Sequence, residues 1–135
     1  MSWLGIDSGA KRSGLAISWS GQMAEPLGLA TGDLASQIQQ IEKVIAEHAV
    51  DVVVIGKPTG VTGDHPATQM FEQLMALSGS RASRMTVITI DETLSTKEAE
   101  RLLRERKGDP QQSDALAACL ILEQYFEESR NQDEK

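Results

Sequence analysis

MSWLGIDSGAKRSGLAISWS, residues 1–20, holds a strand, an acid, a basic turn and a second strand, in that order. Ser2 to Ile6 is a short apolar run that delivers one carboxylate, Asp7. Gly9, Lys11, Arg12 and Gly14 follow, a turn with two glycines and two cations. Beyond it Leu15, Ile17 and Trp19 alternate with Gly14, Ala16 and Ser18, which is the period of a half-buried strand. The stretch predicts a hairpin with an acid at the end of its buried first strand. An ionised carboxylate there is costly without a partner, either a metal or a hydrogen-bond donor. Two readings of Asp7 stay open from this stretch alone: a turn residue satisfied by backbone N–H groups, or a functional acid.

Further along, Met23 to Thr31 reads as a third strand, and Pro26 confines it to an edge or a bulge. Leu34, Ile38, Ile41 and Ile45 recur at helical spacing and predict an amphipathic helix from about Asp33 to His48. Val50 to Gly56 contains the unbroken run Val52 to Ile55, the pattern of a parallel strand covered on both faces. It opens into residues 56–64, a loop that includes Lys57, at the carboxyl end of a strand where α/β folds place ligands. The loop lacks the Gly-Lys-Ser/Thr ending of a Walker motif. Pro66 suits the first turn of a helix, with Ala67, Met70, Phe71, Leu74 and Leu77 on its apolar face. Met85 to Ile90 is a fifth strand and ends in Asp91 and Glu92. Ser95 and Glu98 form a capping box before a short helix. Asp109, Pro110 and Gln112 mark a further helix start, and Ala115 to Leu122 is apolar on nearly all sides. The order is β-β-β-α-β-α-β-α-α. It predicts an α/β fold: a five-stranded mixed sheet, a three-strand antiparallel meander plus parallel strands, flanked by helices.

Composition narrows the class. The 135 residues fit one domain, assigned to residues 1–128, with residues 129–135 expected to form a disordered acidic tail. The aromatic share is 4%, so the core must be aliphatic. The single cysteine, Cys119, excludes a disulfide framework and a Cys-based metal site and reads as a packed thiol. No apolar stretch approaches the roughly 18 residues of a membrane span, and no signal peptide is evident. A cytoplasmic protein without membrane association is expected. The net charge of −7 argues against a protein that coats nucleic acid non-specifically. It leaves a nuclease possible, because charge is segregated: Lys97, Arg101, Arg104, Arg106 and Lys107 precede an acidic end.

Three acids stand where buried elements deliver them: Asp7 after strand one, Glu92 after strand five, Asp114 ahead of the apolar helix. If the fold brings them together, their charges repel unless a cation lies between them. Hard oxygen ligands suit Mg²⁺ or Mn²⁺. One or two such ions support phosphodiester hydrolysis without a histidine base. The competing reading makes Asp114 an acid interacting with the helix dipole and Glu92 part of a connecting loop.

These residues resemble a known family. Leu4-Gly5-Ile6-Asp7-Ser8-Gly9-Ala10-Lys11-Arg12-Ser13-Gly14 is similar to the opening motif of the YqgF-type (RuvX) proteins. The family is described in terms of pre-16S rRNA nucleases and as Holliday-junction-resolvase-like. Val54-Ile55-Gly56-Lys57-Pro58, Asp91-Glu92-Thr93-Leu94-Ser95-Thr96 and Asp114 to Leu122 follow in the family's order, so the resemblance runs from Leu4 to about Phe126. It implies an RNase H-like fold. It also implies a metal-dependent endonuclease that processes the 5′ end of precursor 16S rRNA by two-metal hydrolysis, in the bacterial cytoplasm. The family's acidic positions fall on Asp7, Glu92 and Asp114, as metal ligands and catalytic residues, with Mg²⁺ or Mn²⁺ as cofactor. The basic turn maps to Lys11 and Arg12 as phosphate contacts. Departures are Ser8 for an aromatic, Lys57 for an aliphatic residue, Thr93 for the usual Arg, and a thinner basic run at residues 104–109. Lys57 is expected to restore some of the phosphate binding lost at Thr93.

The implied partner is nucleic acid, pre-16S rRNA ahead of DNA junctions, with ribosome-assembly partners and a monomeric or homodimeric state both open. Three other readings compete. One is a DNA junction resolvase with the same chemistry. Another is a non-catalytic nucleic-acid or ribosome-biogenesis binding protein. The third, an actin-like ATPase or kinase lobe, needs a second lobe for which 135 residues leave no room.

Overall fold

The computed structural model describes residues 1–58, 65–80, 85–92 and 112–133. Five strands are seen: β1 (Trp3–Asp7), β2 (Arg12–Ser18), β3 (Glu25–Thr31), β4 (Val52–Pro58) and β5 (Thr86–Glu92). Among the described residues three helices accompany them: α1 (Leu34–His48), α2 (Pro66–Ser80) and α3 (Gln112–Asp133). The sheet order is β3-β2-β1-β4-β5. β1, β2 and β3 form an antiparallel meander, and β4 and β5 run parallel to β1. This is the expected mixed sheet. The capping box at Ser95–Glu98, the short helix after it, Thr93, the basic run at residues 97–107, the loop at residues 59–64 and the Asp109–Pro110 start lie outside the described residues.

β3 takes the edge, where the missing N–H of Pro26 breaks no ladder bond in the sheet interior. The ladder shifts register between Leu15 and Ala16, where the strand accommodates Pro26 and Gly28 (φ +148°). β4 lies between β1 and β5, as its β-branched run requires.

Alternation divides the sheet into two faces. Leu4, Ile6, Leu15, Ile17, Val53, Ile55 and Val87 face α1 and α2, joined there by Ile38, Ile41, Ala67, Met70 and Leu74. Each fully buried aliphatic side chain contributes about 1.5–3 kcal/mol of transfer free energy. The opposite face carries Trp3, Ala16, Val54 and Ile90 against Ala118, Cys119, Ile121, Leu122 and Phe126 of α3. Trp3 meets Phe126 edge-on, with ring centroids 5.3 Å apart.

α3 sits unusually close to the sheet because both surfaces are small there. A Cβ on Gly5 would lie 2.6 Å from Leu122 Cγ and 2.8 Å from the Ala118 carbonyl oxygen. Gly5 pairs with Ala16, and Ala118 faces them from the helix. α3 also continues to Asp133, past the expected start of the acidic tail at Ser129. Arg130 in its last turn complements the helix dipole there.

Candidate active site

Asp7 is the last residue of β1 and half-buried. Its cross-strand partners are Gly14 on β2 and Gly56 on β4. Gly5 faces α3, and Asp7 is two residues further along, so Asp7 occupies the α3 face at the carboxyl edge of the parallel strands.

Gly14 explains how Asp114 reaches the same place. A Cβ built on Gly14 would collide with the carbonyl oxygen of Asp114. The start of α3 therefore rests directly on the residue opposite Asp7, and only a glycine admits that approach. Two acids separated by 107 positions in the chain thus meet over one backbone contact. Asp114 lies in the first turn of α3, where the helix dipole favours a negative charge.

Glu92 ends β5 at the same edge. Gly56, the partner of Asp7, is itself paired with Ile90, and Glu92 lies two residues beyond Ile90. Period-2 alternation puts the Glu92 position on the α3 face with Asp7. Its placement comes from the backbone alone. Among the described residues, no three His, Cys, Asp or Glu side chains form a metal-binding group. Among the described residues the backbone brings Asp7 and Asp114 close over Gly14, and the Glu92 position lies at the same edge by strand register.

The cations are distributed unevenly. Arg12 opens β2, and its Nε donates to Asp114 Oδ2 at 2.9 Å. The side chain of Arg12 is 65% exposed and that of Asp114 30%, so solvent screens the pair and its contribution to stability is at most about 1 kcal/mol. Lys11 is exposed beside it on the turn. Lys57 departs from expectation. It is not in the loop but inside β4, because the ladder with β5 continues to Pro58. It pairs with Asp91 and occupies the sheet face opposite to Asp7, half-buried.

The turn between β1 and β2 is held from α1. Gln37 is fully buried, and its Nε2 donates to the carbonyls of Gly9 (3.2 Å), Ala10 (3.3 Å) and Gly32 (3.0 Å). Its Oε1 accepts from Ser13 Oγ at 2.5 Å, and Ser13 Oγ in turn accepts the Gly9 N–H at 3.2 Å. The Gly32 N–H donates to the Lys11 carbonyl at 2.9 Å. Sequence reasoning passed over Gln37, although the signal was present. It is a polar residue on the apolar stripe formed by Leu34, Ile38, Ile41 and Ile45. Gly14 was likewise read as a turn and strand residue rather than as the seat of α3.

The donor chemistry suits a hard divalent cation. The carboxylates of Asp7 and Asp114 are oxygen donors on neighbouring backbone, and their combined charge requires a counter-ion, which Arg12 partly supplies. No helix among the described residues is long and apolar enough to cross a membrane.

Comparisons with known proteins bear on the family and the fold. The family model described as "RuvX: Holliday junction resolvase" matches residues 1–128. A protein of Oceanobacillus iheyensis described as "Putative pre-16S rRNA nuclease" is 30% identical over 136 residues, covering 95% of this chain and 99% of the relative. A protein of Chlamydia trachomatis serovar L2 with the same description is 34% identical over 135 residues, covering 93% of this chain and 90% of the relative. Among solved structures, Thermus thermophilus RuvC in complex with a Holliday junction substrate superposes with a TM-score of 0.64 at 14% identity, covering 97% of this chain and 96% of that one. That likeness shows the shared RNase H-like fold. By the match over residues 1–128, the chain belongs to the RuvX family of nucleases.

Proposed function

We propose that this protein is a divalent-metal-dependent endonuclease, a single domain of residues 1–128, that processes the 5′ end of precursor 16S rRNA in the cytoplasm. The observation that carries the reading is the contact of the Asp114 backbone with Gly14, the cross-strand partner of Asp7, at the edge where β5 ends in Glu92. Asp7, Asp114 and Glu92 are the residues that would hold one or two Mg²⁺ or Mn²⁺ ions. Such ions, when bound, supply Lewis acidity at the phosphate and lower the pKa of water for attack.

The chain's own residues bind and orient the strand. Lys11 and Arg12 lie at the start of β2, next to the acids, and present positive charge to a phosphate. Arg12 already stands on Asp114, so it holds that carboxylate in place while its remaining N–H groups stay available. Lys57, near the end of β4 on the other face, adds a more distant charge to the same edge. Two relatives named for pre-16S rRNA favour RNA as the substrate. The family description favours a DNA junction instead.

The test uses the full chain, Mn²⁺, a precursor 16S rRNA 5′ fragment and a four-way DNA junction. Cleavage of the RNA that drops by at least about a hundredfold in Asp7→Asn supports the reading, in line with removing a metal ligand or its support. Cleavage that survives undiminished in purified Asp7→Asn rejects the assigned centre. Cleavage confined to the junction transfers the function to DNA.

A further inference from the structure

We propose that Gln37 is a positioning residue of this site: it fixes the turn that carries Lys11 and Arg12, and through Arg12 it sets the contact with Asp114. Its functional consequence rests on the nuclease reading above. Its structural basis is the set of hydrogen bonds around one buried amide.

Burying an amide is costly unless its groups are satisfied, and an aliphatic residue on the stripe of α1 would pack without that cost. Gln37 is 0% exposed and is satisfied on both sides. Its two N–H donors meet three carbonyl oxygens, those of Gly9, Ala10 and Gly32. Reversing the amide would set an oxygen against those three oxygens, so its orientation is fixed. Ser13 closes the ring by donating to Gln37 and accepting from Gly9. Gly9 and Ala10 are the middle of the turn. Asp7 lies two residues before Gly9, and Arg12 two residues after Ala10. The turn is also sterically tight, since a Cβ on Gly9 would collide with the Arg12 carbonyl oxygen. Movement of Gly9 or Ala10 therefore passes directly to Arg12, whose Nε–H lies on Asp114. α1 packs on the sheet face opposite to α3 and acts on the acids through this turn.

The experiment compares the full-length parent with Gln37→Met, Ser13→Ala, Arg12→Gln and the double variant Gln37→Met/Arg12→Gln. Methionine keeps the length and volume of glutamine but removes both donors. Ser13→Ala leaves α1 untouched and serves if Gln37→Met does not fold. Two readouts are taken beside the melting transition. The first is the Arg12 Nε–H resonance in nitrogen-15 spectra. It is expected to exchange with solvent measurably more slowly in the parent than in cooperatively folded Gln37→Met and Ser13→Ala. The second is the affinity for a fluorescent single-stranded RNA oligonucleotide. A loss of about tenfold is expected in Gln37→Met and in Arg12→Gln, with no further loss in the double variant, as for residues that act through one contact. An Nε–H resonance that exchanges as slowly in folded Gln37→Met or Ser13→Ala as in the parent overturns the proposal. So does a double variant whose loss is the product of the single losses. If Arg12→Gln binds RNA as tightly as the parent, the phosphate role of Arg12 in the nuclease reading falls, whereas the Nε–H resonance still decides the positioning role of Gln37.

Discussion

Gly14 bears on both stability and the site through one missing methyl group. A side chain there would meet the Asp114 carbonyl, which is backbone and cannot rotate aside. Gly14→Ala must push the start of α3 off β2 and with it the Asp114 carboxylate. Overpacking of this kind costs about 1–3 kcal/mol. Urea unfolding should show that loss, and calorimetry should show weaker Mn²⁺ binding than in the parent. Unchanged stability in Gly14→Ala would mean that α3 does not sit on this residue. Glycine at position 14 is plain in the sequence, but its reason is not. A turn, a bulge and a helix seat all call for the same residue, and only Asp114 resting on it distinguishes them. Arg12 carries the same ambiguity. Its charge is plain in the sequence, whereas its partner lies 102 positions away.

At the scale of the element, α1 shows how a helix start is fixed. Asp33 takes extended backbone (φ −71°, ψ 176°) and its side chain accepts the Ser36 N–H at 2.8 Å. That bond to the ionised carboxylate, together with the Ser36 side chain, holds the Asp33 carboxyl below its ordinary value of 3.8. The folded chain then binds this proton less readily than the unfolded chain. The stabilisation is present above the unfolded value and is lost as pH falls through the lowered folded value. Asp33→Ala should therefore unfold at lower temperature than the parent at pH 7, and the gap should narrow as pH falls through and below the ordinary value of 3.8. Thermal melts across that range check it, and a gap independent of pH would assign the effect to something other than the carboxylate. The apolar stripe of α1 could be read in advance from the helical spacing. The use of Gln37 could not, because a lone polar residue on such a stripe can be solvated, buried and idle, or buried and bonded.

For the whole molecule, three acids from β1, β5 and α3 share one edge of the sheet, and cation binding there should be coupled to folding. A ligand that binds only the folded state stabilises it by about 2.7 kcal/mol at a hundredfold excess over Kd. Mn²⁺ should therefore raise the melting temperature of the parent and leave that of Asp7→Asn nearly unchanged. An equal rise in both would place the ion elsewhere. This measurement needs no substrate, so it tests the centre independently of RNA or DNA.

What the sequence determined by itself was the order and type of the described elements. The alternation in residues 14–19, the β-branched run at residues 52–55 and the helical spacing of Leu34, Ile38, Ile41 and Ile45 are local consequences of burial on one face, and local patterns are what a sequence displays. The tertiary structure alone decided which backbone touches which. Gly14 admits Asp114, Gln37 grips the basic turn, and β4 extends far enough to carry Lys57 to the face opposite Asp7. Those contacts join residues far apart in the chain. They arise because small residues on β1, β2 and α3 let the helix descend onto the sheet, and that closeness depends on the packed surfaces together rather than on either stretch alone.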